Sequence, residues 1–189
     1  MVKRLFLLII FLITNLIIVF NCERNKDTII GYTENRKTGN NQEYFVYSII
    51  LNSFQNIPNP IFVLSDSTVF YDLSDGIDYI KEHFPDLQDD TIDNYLIINQ
   101  QNIELLNIPD LEITCSIIDN ENKSQWKELY QNADALIHFS QVGFNTNKDQ
   151  ALVYFSDYSA PLSASGNLII LNKENSIWVI VKSLMLWIS

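Results

Sequence analysis

The hydrophobic and polar positions mark the first twenty residues as a separate segment. Leu5–Phe20 is a run of sixteen residues of which only two are polar, and it follows the basic residues Lys3 and Arg4. A charged start followed by a short apolar run is the pattern of a secretory signal peptide. Sixteen residues are short for a helix that spans a bilayer, which needs about 20. We therefore expect residues 1–21 to be a signal peptide that is removed.

Cys22 stands at the boundary between this apolar run and a polar stretch. The residues Val19-Phe20-Asn21-Cys22 resemble the cleavage site of bacterial lipoproteins, with an aliphatic residue three positions before the cysteine. We therefore expect cleavage before Cys22 and its acylation, which would hold the chain at a membrane because each buried CH₂ contributes about 0.8 kcal/mol. The alternatives are an uncleaved anchor, a disulfide with Cys115, the only other cysteine, and a soluble periplasmic or secreted protein.

Polar residues without a regular apolar pattern extend to position 42. Residues 22–42 are therefore expected to be the lipid-attachment cysteine and a flexible tether, the alternative being that Thr28–Tyr32 docks as a strand. From Glu43 to Phe54 the apolar positions recur at helical spacing, which predicts a helix. The remaining length suits one sizeable core and is too short for two ordinary domains, so residues 43–189 are expected to form a single domain.

Three further helices and a strand are predicted before the last third of the chain. The helices cover Ser74–Phe84, a segment from Asp89 or Asp90 toward Gln100, and Ser124–Asn132. The first is capped by Ser74-Asp75-Gly76 and stopped by Pro85. In the last, Trp126, Leu129 and Tyr130 are expected to face the core. Ile61–Tyr71 is rich in β-branched and aromatic residues around a polar centre, which predicts an interrupted strand.

The last third consists of successive β-like runs with short connections. They are Ala135–Phe144, Ala151–Tyr158, Asn167–Asn172, Ile177–Lys182 and the final Trp187-Ile188-Ser189. Short connections predict an antiparallel meander, and the clearest turn is Lys173-Glu174-Asn175-Ser176, since Asn tolerates a left-handed φ. The expected fold class is therefore α+β, with N-terminal helices packed on a C-terminal antiparallel β-meander of about four to five strands.

The charge of the chain argues against two classes of partner. It carries 23 acidic and 12 basic residues, a formal net charge of −11. Removal of residues 1–21 would take away Lys3 and Arg4 and no acidic residue, so the mature chain would be still more acidic. Nucleic acids and anionic lipid headgroups both demand a basic patch, and no Lys or Arg cluster follows Arg4. Nucleic acid is therefore not expected as a partner.

No catalytic constellation emerges from the spacing of the reactive residues. Ser163-Ala164-Ser165-Gly166 lacks the first glycine of a nucleophile elbow and is expected to be a loop. His83 and His138 are the only histidines, and neither lies beside a candidate nucleophile. His138 alternates with its neighbours in a β-like run, which favours a half-buried structural role. Cys115 is expected to be a small core residue rather than a nucleophile.

Acidic residues are concentrated between positions 72 and 93, where oxygen ligands for Ca²⁺ could gather. They are Asp72, Asp75, Asp78, Asp86, Asp89, Asp90 and Asp93. Their spacing does not fit the Ca²⁺-loop template, and helix caps on a solvated surface explain the same residues, so no metal or cofactor is expected. The alternative function is a hydrolase that uses this segment, which a cleft where these residues and His83 converge would favour.

Aromatic residues in the second half of the chain could line a ligand groove on the sheet or pack in the core. They are Trp126, Tyr130, Tyr154, Tyr158, Trp178 and Trp187. Core packing is the more usual place for such residues. Trp178 lies between Ile177 and Val179 in the predicted hairpin, and we expect it inside.

Several segments form a recognisable pattern. They are YFVYSIILNSF at Tyr44–Phe54, SQVGFN at Ser140–Asn145, ALVYFS at Ala151–Ser156, SGNLIILNKENSIWVIV at Ser165–Val181 and LWIS at Leu186–Ser189. Over roughly residues 43–189 they resemble a family of uncharacterised bacterial exported proteins. The resemblance implies an exported domain without an established activity, so it assigns no functional residue. The chain departs from that family in the glycine-poor loop Ser159–Ser165 and at Ser176, where glycine would suit the turn.

Export without catalytic residues makes a non-enzymatic domain the leading interpretation. We expect an envelope domain, held at a membrane through Cys22, that binds a protein, glycan or small molecule or has a structural role. The sequence does not name the ligand.

Overall fold

The computed structural model describes residues 42–54, 57–105, 108, 111–160 and 162–189. The expected signal peptide, Cys22 and all of the expected tether except Gln42 lie outside these residues. In the described part, no helix is both long and apolar enough to cross a membrane.

Four α-helices lie in the described part of the chain: α1 Gln42–Asn52, α2 Ile77–His83, α3 Asp89–Ile98 and α4 Trp126–Leu129. One-turn 3₁₀ segments, Ser74–Gly76 and Lys123–Gln125, precede α2 and α4. All four helices form where the sequence predicts them. The last is much shorter than expected, and Leu129, expected inside, is 55% exposed. A single turn brings Trp126 and Tyr130 onto the sheet and leaves Leu129 outside.

Seven strands form one mixed sheet. They are β1 Ile61–Ser65, β2 Thr114–Ile118, β3 Ala135–Phe139, β4 Gly143–Phe144, β5 Gln150–Ala160, β6 Ser163–Glu174 and β7 Ile177–Ile188. Their order is β2-β1-β3-β5-β6-β7, and β4 pairs with β5. β2 and β3 run parallel to β1, and the other pairs are antiparallel. The predicted α+β class and the meander are confirmed.

Two finer parts of the fold prediction are wrong. The sheet has seven strands rather than four to five, and the last predicted run is the end of β7. The helices do not simply precede the sheet, since α2 and α3 lie between β1 and β2, and α4 lies between β2 and β3. The strands β1, β2 and β3 pair although they are far apart in sequence; Val63, for example, pairs with Ser116 and with Leu136. Local periodicity carries no information about such distant pairing.

The two faces of the sheet carry different helices. On one face, Tyr47, Ile50 and Leu51 of α1 pack in a buried cluster that includes Phe139 and Trp178. The prediction that Trp178 is inside is confirmed, because its side chain is only 8% exposed. We call this side the α1 face.

The opposite side, which we call the α4 face, holds two separate clusters. Residues of α2 and α3 pack with Leu152 and Tyr154 of β5, while Trp126 and Tyr130 pack with Leu136 on β3. Side chains two positions apart in a strand share a face, and the partner of Leu136 is Tyr158, which lies four positions from Tyr154. Both clusters therefore lie on the same face of the sheet.

The hairpin between β6 and β7 has the turn that the sequence predicts. Asn175 and Ser176 have φ values of 50° and 68°, and they join Glu174 to its partner Ile177. Two positive φ values are the mark of the type I′ turn, which matches the twist of the flanking strands. The loop prediction for Ser163–Gly166 is wrong, because these residues begin β6 and continue its pairing with β5.

Candidate ligand-binding site

A cavity of about 390 Å³ lies on the α4 face of the sheet. Its lining residues are Lys123, Ser124, Trp126, Leu136, His138 and Tyr158, and we call it the His138 cavity. Ser124 is exposed and Tyr158 is 38% exposed, so the cavity opens to solvent. The cavity therefore combines an accessible mouth with apolar, aromatic and polar walls, as ligand pockets commonly do.

The lining residues come from neighbouring elements. His138 lies on β3 and Tyr158 lies on β5, its antiparallel neighbour. Lys123 lies in the 3₁₀ turn that follows β2, and Trp126 begins α4. The cavity thus forms where the connection from β2 to β3 crosses the sheet.

The cavity lies near the carboxyl ends of the parallel strands. Leu64 pairs with Ile137, so His138 stands level with Ser65, the last residue of β1. The strand order reverses at β1, since the chain continues to β2 on one side and then crosses to β3 on the other. In open sheets with parallel strands, ligands bind outside the carboxyl ends at such a reversal.

His138 has a buried polar atom that the protein does not satisfy. Within the described residues, its Nδ1 has no hydrogen-bond partner. Burial, and then the positive charge of Lys123, lowers the pKa of His138 from 6.5 to about 4, so the imidazole is neutral at pH 7. The ring makes an edge-to-face contact with that of Tyr158, with ring centroids 5.3 Å apart and planes at 78°. A buried polar atom without a partner costs free energy, and this one exposes almost no surface to the cavity.

Lys123 brings a positive charge to the cavity wall. Its Nζ lies 3.4 Å from the Oγ of Ser67, which is long for a hydrogen bond. Partial burial lowers the pKa of Lys123, and the charge of Asp66 opposes that shift. The Oδ2 atom of Asp66 accepts a hydrogen bond from the Asn120 backbone N–H at 3.2 Å, while its buried Oδ1 has no partner among the described residues.

Aromatic rings form the flat walls of the cavity and continue beyond it. The ammonium of Lys127 lies 4.8 Å from the ring centroid of Trp126. On the other side, the ring of Tyr158 lies 6.1 Å from that of Trp187, whose Nε1 donates to the hydroxyl of Tyr154 at 3.0 Å. Of the predicted groove aromatics, Trp126 and Tyr158 line the cavity, whereas Tyr154 and Trp178 are buried.

The cavity offers groups that bind rather than a complete set for covalent catalysis. A nucleophile and its base must lie within hydrogen-bond reach of each other. In the part of the chain that the structure describes, no hydrogen bond joins His138 to a serine, cysteine or carboxylate. What remains is a cation, a neutral imidazole, two hydroxyls and two aromatic rings around one space.

The acidic segment does not form a second site. Asp72 accepts from the backbone N–H of Ser74 at 2.9 Å, and Asp90 accepts from that of Thr146 at 2.8 Å. Asp89 pairs with Lys81 at 2.5 Å. No group of three or more potential metal-ligating side chains occurs within the described ranges. These carboxylates bind turn and loop backbone or a lysine at the surface and cap none of the helices here, and the convergence that would favour a hydrolase is not found there.

The other reactive residues have structural surroundings. Cys115 is half-buried against the cluster of the α1 face, and burial raises the pKa of its thiol to about 12. The thiol therefore stays protonated, as expected for a core residue rather than a nucleophile. The Nδ1 atom of His83 lies 2.9 Å from the carbonyl of Tyr79 in the preceding turn of α2. The prediction that His138 lies half-buried in a strand is confirmed.

Comparisons of the chain with models of protein families, with curated proteins and with solved structures found no match. The resemblance to a family of exported proteins therefore stays a prediction.

Sequence reasoning missed Lys123, the charged residue of this site, and its neighbour Asp66. Asp66 and Lys123 are 57 positions apart, and both follow strands whose pairing is not visible in local periodicity. One signal was available: each lies among short polar residues directly after a β-like run. Had β1 and β2 been recognised as parallel neighbours, their carboxyl ends would have placed the two residues together.

Proposed function

We propose that this chain is an exported, lipid-anchored domain of the bacterial cell envelope that binds a small molecule in the His138 cavity. One observation carries the binding part of the proposal. The cation of Lys123, which forms no ion pair within the described residues, and the aromatic rings of Trp126 and Tyr158 surround one solvent-accessible cavity. Charged and aromatic groups gathered around one accessible space can contact and orient a small ligand.

The composition of the cavity wall supports a small ligand over a macromolecule. The cavity has a volume of about 390 Å³ and is largely open to solvent, so it can contact one face of a small molecule, although small-molecule pockets of roughly 300–1,000 Å³ usually enclose most of their ligand. Leu136 and Trp126 provide apolar contact area, and Lys123 and His138 provide polar groups that can fix an orientation. A few placed polar groups among apolar walls are typical of such sites.

Cavity binding can be tested by thermal unfolding in the presence of small-molecule fragments. A ligand that binds only the folded state stabilises it by about 2.7 kcal/mol when its concentration is 100 times Kd. Ser124→Trp should fill the mouth of the cavity and abolish the stabilisation. Gln125→Trp, at the next and equally exposed position, is the matched control and should retain it. Equal stabilisation of both variants would contradict binding in the cavity.

Membrane attachment rests on the sequence around Cys22 and has its own test. Metabolic labelling with a fatty-acid analogue should mark the wild-type protein, and the mass of the mature chain should begin at residue 22 with lipid added. Cys22→Ser should remove the label, while Cys115→Ser should keep it. A chain that begins at Met1, or an unlabelled chain cut elsewhere, would contradict attachment through Cys22.

A further inference from the structure

We infer that the ligand of the His138 cavity is a small organic anion, a carboxylate carried on a flat apolar body. This inference rests on the proposed function, because it specifies the ligand of the same site. It follows from the charge of the walls, from their unused hydrogen-bonding groups and from their shape.

The charge of the cavity is opposite to that of the chain. The six lining residues include one cation, Lys123, and no carboxylate, in a chain with a formal net charge of −11. The nearby Asp66 favours the charged form of Lys123, yet the two side chains form no ion pair in the described structure. A lysine that keeps its positive charge and has no ion-pair partner attracts an anion and repels a cation.

The hydrogen-bonding capacity of the walls fits the two oxygens of a carboxylate. An ammonium has three donors, and Ser67 accepts one of those of Lys123 at the long distance of 3.4 Å. The Nδ1 atom of His138 has no partner in the described part of the chain, but it is buried and exposes almost no surface, so the ammonium of Lys123 is the donor that a carboxylate can reach. The charge of Lys123 reaches His138, since it contributes to the lowered pKa of the imidazole. Hydrogen bonds with an ionised partner are about twice as strong as neutral ones.

The shape of the cavity fits a planar body beside that carboxylate. Trp126 and Tyr158 present aromatic rings and Leu136 presents an aliphatic side chain. Aromatic rings prefer offset-stacked or edge-to-face contacts with other rings, and Tyr158 already makes an edge-to-face contact of this kind with His138. A single or fused aromatic ring would contact these walls while its carboxylate reaches Lys123.

Three compounds of nearly equal shape test the inference by calorimetric titration of the purified full chain. Indole-3-acetate is an anion, indole-3-acetamide is its neutral counterpart, and tryptamine is a cation on the same ring. We expect the anion to bind at least tenfold more tightly than the amide, and tryptamine to bind most weakly. Lys123→Met should lower the affinity for indole-3-acetate to that for indole-3-acetamide. Lys123→Arg should keep most of the preference for the anion.

Lys148→Met is the charge-matched control, because it removes the same charge from an exposed loop, and it should leave the preference unchanged. Circular dichroism would establish that each variant is folded. Equal binding of anion and amide, tighter binding of tryptamine, or no binding of any of the three would overturn the inference. A different result would contradict the proposed function itself. It would fail if no fragment of any charge stabilised the wild type, or if the stabilisation persisted in Ser124→Trp.

Discussion

The antiparallel and the parallel halves of the sheet differ in how they are built. In the meander, β5, β6 and β7 have 11 or 12 residues each and pair with the strand next to them in sequence. In the parallel half, β1, β2 and β3 have five residues each, and Ile61 pairs with Thr114, 53 positions away. The meander therefore has long strands that pair with their neighbours in sequence, whereas the parallel half has short strands that pair with residues far away in sequence.

Binding, but not packing, follows the same division. Leu152 and Leu168 of the meander and Val63 and Phe139 of the parallel half are all 0% exposed. Five of the six residues that line the cavity belong to the parallel half and its connections, and Tyr158 comes from the meander. We therefore expect substitutions of buried meander residues to affect stability, and substitutions at the cavity wall to affect binding.

The largest expected effect comes from removing the tryptophan buried in the meander. Trp178→Ala should lower the free energy of unfolding by about 3–5 kcal/mol, because truncation of a buried Trp loses burial and leaves a cavity. Chemical denaturation measures this loss. Trp126→Ala is the matched change on the cavity wall, where the ring is half-buried, and it should cost clearly less. A larger loss at Trp126 would break the division between the two halves.

The next effect concerns His138 and has a defined pH window. Its pKa is about 4 in the folded chain against an ordinary value of 6.5, so between these pH values the unfolded chain binds the extra proton. Stability is therefore kept above pH 6.5 and lost as the pH falls toward 4. The loss should approach about 3 kcal/mol, at 1.36 kcal/mol for each unit.

Comparison with His138→Leu isolates this loss from that of other titrating groups. Lys123, in the turn after β2, and Tyr158, on β5, are the ionisable groups that face His138, and both stay in the variant. Denaturation at pH 7 and pH 4.5 should show a smaller decline for His138→Leu than for the wild type. Parallel declines would mean that His138 titrates as it does in the unfolded chain.

A smaller effect is expected where two meander strands pass closely. A Cβ atom at Gly166 would overlap the ring of Trp187 on β7, so Gly166→Ala should cost about 1–3 kcal/mol, as overpacking usually does. Gly76→Ala is the control, because nothing lies within 4 Å of the added Cβ, and it should change stability by less than about 0.5 kcal/mol. Equal melting temperatures for the two variants would show that the strands can separate without cost.

The smallest expected effect is a gain in stability at the turn between β6 and β7. Ser176 has a φ of 68°, which glycine adopts without the penalty that a Cβ brings. Ser176→Gly should therefore raise stability by up to about 1 kcal/mol. Ser183→Gly, in the exposed part of β7, should instead lower stability by roughly 0.5–1 kcal/mol, because glycine weakens a strand. A loss at both positions would argue against strain in the turn.

The sequence predicted the local half of this fold well. β-like runs with short connections predicted β5, β6 and β7, and the Asn175-Ser176 turn indicated the pairing of β6 with β7, because a two-residue turn determines the register of a hairpin. Helical spacing predicted α1, and Pro85 marked the end of α2, but the cap expected at Ser74-Asp75-Gly76 makes no side-chain capping hydrogen bond in the described structure. These signals work because each arises within a few residues of the chain.

The parallel half and the site were not predictable in the same way. The run around Cys115 was β-like, but nothing local indicated that β2 would pair with β1 rather than with the meander. The site was hard to predict for the same reason. Lys123 follows β2 and His138 lies on β3, so the two residues come together only when β1 lies between these strands. Trp126 and Tyr158 were recognised as possible groove residues, while Tyr154 and Trp178 from the same set proved to be buried.

The most direct test of the central claim, that the His138 cavity binds a small molecule, is the ring ¹⁵N NMR spectrum of the full chain labelled on histidine. The chain has two histidines, so His83, outside the cavity, is an internal control. At pH 7 the signals of His138 should be those of a neutral imidazole. They should shift as a stabilising fragment is added, while those of His83 stay in place. A charged His138 at pH 7, or His138 signals that no stabilising fragment moves, would contradict the claim.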